Sequence, residues 1–167
     1  MKIDVEIKGL REVESFLKTL PDEISRKMLY GALMGGAKPI MDQARSNVLH
    51  NFGNSARFTH TLEESLVRGR VRKTGLAARV DVKIRKGKVR DRLIKNGVIK
   101  SHGDDAFYGR FLEFGTSKMP AYPFLKPAAD AKAGESIKRF NGTLMKRMAK
   151  WCKDNGVVYR SPGGMQS

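Results

Sequence analysis

Ile137, Phe140, Leu144, Met148 and Trp151 recur at intervals of three, four, four and three residues, with Lys138, Arg139, Lys146, Arg147, Lys150 and Lys153 filling the positions between them. On a helix this spacing gathers the apolar side chains into one stripe and leaves the cations on the remaining faces. Such a stripe has to be buried, so the chain needs a second layer to pack on. A partner helix is legible upstream, where Asp22 is a plausible N-cap and Ile24, Met28, Leu33, Ile40, Met41, Ala44 and Val48 supply apolar positions. Pro39 lies inside this stretch and removes one helical hydrogen bond, so a kink near Gly35 and Gly36, or two shorter helices, is expected. The last helix is expected to start near Pro123 or Pro127, either of which suits a first turn.

The period-two signal is confined to short runs. Ile3, Val5 and Ile7 alternate with Lys2, Asp4, Glu6 and Lys8 and predict a strand ended by Gly9; Leu10, Val13, Leu17 and Leu20 then predict a short helix stopped by Pro21. Residues 50–60 read as a loop. A hairpin follows, with Val67 and Val71 opposed to Arg68, Arg70 and Arg72 in its first strand, and Val80, Val82 and Ile84 opposed to Arg79, Asp81, Lys83 and Arg85 in its second. This alternation predicts one apolar and one basic face, with the turn near Thr74 and Gly75. Residues 86–105 form a charged, glycine-containing extension expected to be mobile, and residues 155–167 a flexible tail.

The chain has 167 residues with 40% hydrophobic content, enough for one domain with its own core, here set at residues 1–154. Its 33 Lys and Arg against 17 Asp and Glu leave a net charge of +16, a surface that favours polyanions. From Leu66 to Lys100 there are 13 Lys and Arg against Asp81 and Asp91, so this window alone carries +11. Arg68, Arg70, Arg72, Arg79, Lys83 and Arg85 are therefore the candidate contacts to a polyanion or an acidic partner. Aromatic residues are absent from the window, which disfavours base stacking and points any nucleic-acid contact to the phosphate backbone. Replacing Arg68, Arg70 and Arg72 by Gln is expected to leave folding intact.

Catalytic and metal signatures are weak. The one cysteine, Cys152, cannot form an internal disulfide and sits beside the apolar stripe, where packing is its expected role. His102, Asp104 and Asp105 are three polar residues in a loop, and Asp81 with Lys83 has no second acid to complete a nuclease-type site. No phosphate-cradling glycine loop or zinc spacing occurs. We expect no catalytic residues, no metal and no cofactor. No stretch approaches the ~20 apolar residues of a membrane span, and the opening residues lack a signal-peptide core.

Phe107 to Ala128, FYGRFLEFGTSKMPAYPFLKPA, places aromatics around one acid, Glu113, followed by Gly115 and a proline-punctuated loop. It reads as a strand turning sharply into a helix. Glu113, between apolar neighbours, has to find donors if it is buried, and the amides of the Thr116–Met119 turn are the nearest source.

The segment EFGTSKMPAYPFLKPA resembles a large family of siphophage minor tail and tail-completion proteins, in which an aromatic-rich strand reaches Glu-Phe-Gly-Thr, then Pro, then Pro-Phe-Leu and Pro-Ala. Glu113, Phe114, Gly115, Thr116, Pro120, Pro123, Phe124, Leu125, Pro127 and Ala128 are the matching positions. Upstream, the family tends toward Thr-Gly-x-Leu-x-x-Ser before its first hairpin strand. Here Thr59, Leu62 and Ser65 match but His60 replaces the glycine, so a different turn is expected. The basic extension is longer than the family's usual one. The resemblance implies a virion protein of the tail or neck, made in the host cytoplasm, acting in tail completion or head-tail joining beside other phage neck and tail proteins, with ring assembly and backbone contact to DNA as further expectations. A non-specific nucleic-acid-binding protein is the alternative and a nuclease the third reading. The expected fold class is α+β, a small, mainly antiparallel sheet with long helices on one face.

Overall fold

The structure, a computed structural model, describes residues 10–55, 60–71, 79–85 and 106–156. The strand expected at Ile3–Ile7, the turn at Thr74 and Gly75, the extension at 86–105 and the tail from residue 157 onward lie outside the described residues.

Helix α1, Leu10–Thr19, ends before Pro21 as its sequence requires and buries Val13 and Leu17. Helix α2, Asp22–Phe52, then runs unbroken for 31 residues with Pro39 inside it, which rules out the two-helix alternative. Pro21, rather than Asp22, occupies its N-cap; Asp22 lies in the first turn, where its negative charge still complements the helix dipole. A short helix α3, Thr61–Ser65, leads into strand β1, Leu66–Val71, which pairs antiparallel with β2, Arg79–Ile84. A 3-10 turn at Ala106–Tyr108 continues into helix α4, Gly109–Phe114, and the chain closes with helix α5, Leu125–Asp154. The fold is α+β. Asn155 caps α5 and Gly156 follows with a φ of 66°, the left-handed geometry that ends a helix without crowding a Cβ.

Helix α2 is the common partner of every layer. Around its first half, Met28 and Ala32 meet Val13, Leu17 and Leu20 from the α1 segment and Leu144 and Met148 from α5, with Phe16, Phe140 and Trp151 packed against them. Around its second half, Ala44 and Val48 meet Leu62, Leu66, Ala106, Phe124 and Ala128. Early α2 thus faces late α5 and late α2 faces early α5, so the two long helices run antiparallel. Between the two clusters lies a waist of small residues. A Cβ added to Gly36 would stand 3.0 Å from both the Phe140 Cβ and the Ser136 carbonyl oxygen, so glycine sets the approach of the helices.

The same waist absorbs the proline. Pro39 has no amide to offer the carbonyl of Gly35, and the carbonyls on either side of that one receive side-chain donors: Arg68 donates to the Met34 oxygen and the Ser136 hydroxyl to the Gly36 oxygen. The interruption is thereby stitched to the hairpin on one side and to α5 on the other.

The hairpin register corrects the expectation of one apolar and one basic face. Residues directly opposite each other across an antiparallel pair share a face. Val67 is opposite Lys83 and Val71 opposite Arg79, while Arg68 is opposite Val82 and Arg70 opposite Val80. Each strand alternates as its sequence predicts, but the pairing sets the apolar residues of one strand beside the cations of the other. Period two fixes the faces of a strand alone; the relative phase of two strands depends on the turn.

The close approach at Gly36 generates a prediction. Gly36→Leu should lower stability by about 1–3 kcal/mol through overpacking between α2 and α5. Chemical denaturation measures it, and an unchanged midpoint would show that the helices can part there without cost.

Candidate functional site

The aromatic run from Phe107 is helical rather than extended: the 3-10 turn and α4 occupy residues 106–114. Aromatics favour strands on average, but here tertiary packing decides. Gly109 is buried where a Cβ would come within 2.5 Å of Ile84 and 2.6 Å of Leu62, so α4 lies directly on β2 and α3. From that seat it delivers Glu113, 7% exposed, to the start of α5.

One carboxylate then closes a helix terminus. Glu113 Oε2 accepts the amides of Phe124 at 2.8 Å and Leu125 at 2.9 Å, and Oε1 accepts that of Lys126 at 3.0 Å. A helix start exposes amides at its N-cap and first three positions. Here the N-cap residue Phe124 offers no side-chain cap, and the fourth of those positions is Pro127, which has no amide. Three donors and one buried acid therefore satisfy the terminus in full, with the negative charge at the positive end of the helix dipole. The donors are those of Phe124–Lys126 and not those of the Thr116–Met119 turn. That turn uses its own amides: Thr116 donates to the Met119 oxygen at 2.9 Å, Met119 back to Thr116 at 3.3 Å, and the Lys118 amide to Thr116 Oγ1 at 3.3 Å.

The rest of the motif shapes the corner between the acid and the helix. Gly115 has φ 73° and ψ −180°, a region that only glycine occupies readily, and an added Cβ would lie 2.9 Å from the Ala121 nitrogen. Its amide donates to the Phe111 oxygen at 2.8 Å, and the Tyr122 amide returns to Leu112 at 2.7 Å, so both arms of the loop are tied to α4. Phe124 is fully buried, and its carbonyl accepts Asn47 Nδ2 at 3.0 Å, which fixes the corner to α2. Leu125 packs on the second core cluster, whereas Phe114, Thr116, Pro120 and Pro123 are exposed.

The basic candidates do not form one row. The Arg68 guanidinium is spent on the Met34 carbonyl and Arg79 Nε donates to Asp81 at 2.6 Å, while Lys83 and Arg85 face solvent. Arg70 lies opposite Val80 in the register, and Arg72 lies outside the described residues. Arg68 therefore has a contact to α2 that its replacement by Gln would alter. Beside β2, a groove of about 510 Å³ opens between Leu33, Gly36 and Ile40 of α2 and Ile137 and Phe140 of α5. Its lining is largely apolar, and Asp81, the acid of the nuclease reading, is held there by Arg79.

Residues 11–115 match the model of the HK97-gp10-like family, described as "Bacteriophage HK97-gp10, putative tail-component". The chain belongs to this family. No curated protein and no solved structure gives a match.

The matched region of this gp10-like chain ends on Gly115, the residue at which the corner turns, so the acid lies within it and the helix that the acid caps lies beyond. Upstream of the hairpin, His60 precedes α3 with a φ of 57°, the one non-glycine residue with positive φ among the described residues. His60 thus takes the left-handed conformation that glycine adopts most readily. Asn47, Arg45 and Ser136, which donate to Phe124, Leu66 and Gly36, were not among the sequence candidates. Their partners are backbone carbonyls far along the chain, and no local pattern announces such bonds.

Three expected outcomes follow from this geometry. Glu113→Ala should cost about 2–4 kcal/mol, since three amides lose a charged acceptor in a buried place, and Gly115→Ala about 1–3 kcal/mol. Thermal or denaturant unfolding that leaves either variant at the parent's midpoint would refute the role given to that residue. His60→Gly should instead raise the melting temperature, because a side chain in the left-handed region carries a strain of about 1–2 kcal/mol that glycine avoids.

Proposed function

We propose that this gp10-like chain is a structural component that completes the tail or joins it to the head at the neck of a tailed phage. The observation that carries this reading is the coincidence of family membership with the Glu113 corner: the one acid in the motif accepts three backbone amides, which supports a role in building a rigid shape. A surface built for rigidity suits a protein that must fit between neighbours, where ordering costs on docking are small when the shape is preformed.

Deletion of the gene from the phage that encodes this chain should yield heads and tails that accumulate unjoined, or tails that end irregularly, and expression in trans should restore joined particles. Electron microscopy of the lysate reads this directly. Normal joined particles in the deletion would contradict the proposal.

A second reading, contact with the phosphate backbone of DNA passing nearby, is favoured by the exposed Lys83 and Arg85 within the window of +11. Duplex DNA binding by the parent should then weaken with salt. In Lys83→Gln with Arg85→Gln, the slope of log affinity against log salt should fall by about 0.9 per lost phosphate contact. Equal slopes for parent and variant would remove these two residues from any DNA contact.

A further inference from the structure

Phe107, Phe111 and Phe114 are 67%, 45% and 79% exposed, although Phe124 in the same segment is completely buried. They stand at i, i+4 and i+7 along the 3-10 turn and α4, a spacing that sets them on one face, and the rings of Phe107 and Phe111 meet edge-on with centroids 6.3 Å apart. Removing one large apolar side chain from water contributes about 1.5–3 kcal/mol, and this chain leaves three uncovered on one short element. Contiguous exposed apolar surface of this kind marks an interaction site. The backbone beneath is already fixed by Glu113, by the Gly115 amide on Phe111 and by the Tyr122 amide on Leu112, so docking on it would order little that is not ordered already.

The charges around this face specify its occupant. Within Phe107–Ala128 the only acid is Glu113, which is buried against backbone amides, while Arg110, Lys118 and Lys126 are exposed. The segment therefore shows solvent three phenylalanines and only positive charge. A second copy docked face to face would set this rim against itself in a chain of net charge +16, a like-charge arrangement that disfavours association. A face that spans only Phe107–Phe114, carrying its cations among its aromatics, is also short for an interfacial membrane helix.

We propose that the phenylalanine face docks into an apolar recess ringed by carboxylates on a neighbouring tail protein, an inference that rests on the assembly role given above and names the surface that performs it. Phe114 and Phe111 enter the recess, and Arg110 and Lys118 pair with its rim.

The test uses tails and heads purified from phage lacking this gene, with binding of the full chain read by co-sedimentation. The parent should bind one of the two particles, and more weakly as salt rises. Phe114→Ser, whose side chain lies outside both core clusters, should keep the parent's melting temperature and bind at least about tenfold more weakly; Phe107→Ser combined with Phe111→Ser should behave likewise. Arg110→Glu with Lys118→Glu should lose affinity without loss of fold. Folded variants that bind like the parent would overturn the docking face and leave the assembly role standing, whereas a parent that binds neither particle would overturn the assembly role and the face with it. The occupant would be wrong if Phe114→Ser leaves particle binding intact while abolishing self-association in ultracentrifugation, which assigns the face to a second copy. It would equally be wrong if that variant instead loses binding to phosphatidylglycerol vesicles, which assigns the face to lipid.

Discussion

The placement of α5 depends on one carboxylate. Helix α5 is 30 residues long and contributes to both core clusters, yet its first turn brings no side-chain cap of its own. Glu113 supplies the acceptor from a different helix, and in doing so fixes the distance and angle between α4 and α5. A cap within the same helix would stabilise the terminus and leave the preceding loop free. A cap borrowed from α4 ties the terminus to whatever α4 is packed on, here β2 and α3 through Gly109. Helix dipole, hydrogen bonding and topology are coupled in one interaction.

The α2–α5 waist is the counterpart of that corner. Small residues allow close approach at Gly36, and the backbone interruption at Pro39 is flanked by carbonyls that take donors from Arg68 and Ser136. Two polar stitches and one glycine contact hold the middle, while apolar clusters hold either end. Surface ion pairs add little to this: Glu14 with Lys18 and Glu135 with Lys132 are exposed pairs one helical turn apart, of the kind worth only tenths of a kcal/mol in general.

Helical periodicity made α1, α2 and α5 legible, because a stripe at three- and four-residue spacing has one reading when it persists for several turns. The strands were legible singly, and their mutual phase was not, since Val67 finds Lys83 only through a register set by residues between them. The helical character of Phe107–Phe114 was missed for a related reason. Its spacing of four and three fits a helix, but eight residues with three phenylalanines also fit a strand, and only contact with Leu62 and Ile84 decides. Within the motif, the burial of Glu113 is suggested by its apolar flanks; the identity of the donors could not be read. Proximity in sequence suggested Thr116–Met119, and the fold chose amides eleven to thirteen residues away, where the helix dipole adds to the bond. The basic hairpin shows the limit of charge counting, since Arg68 donates to a carbonyl of α2 and Arg79 pairs with an acid of its own strand.

In functional terms the motif Glu-Phe-Gly-Thr followed by Pro-Phe-Leu-Lys-Pro divides its labour. Glu113, Gly115, Phe124 and Pro127 build the corner, and Phe114 stands on its outside. The central claim is that the Glu113 carboxylate holds the start of α5 and the α4 loop together as one unit. Amide hydrogen exchange on Glu113→Gln, residue by residue, tests it most directly. The claim predicts that Phe124, Leu125, Lys126, Gly115 and Tyr122 exchange faster together, by about tenfold or more, while Leu144 and Met148 keep the parent's protection. Protection at Phe124–Lys126 equal to that of the parent would contradict it.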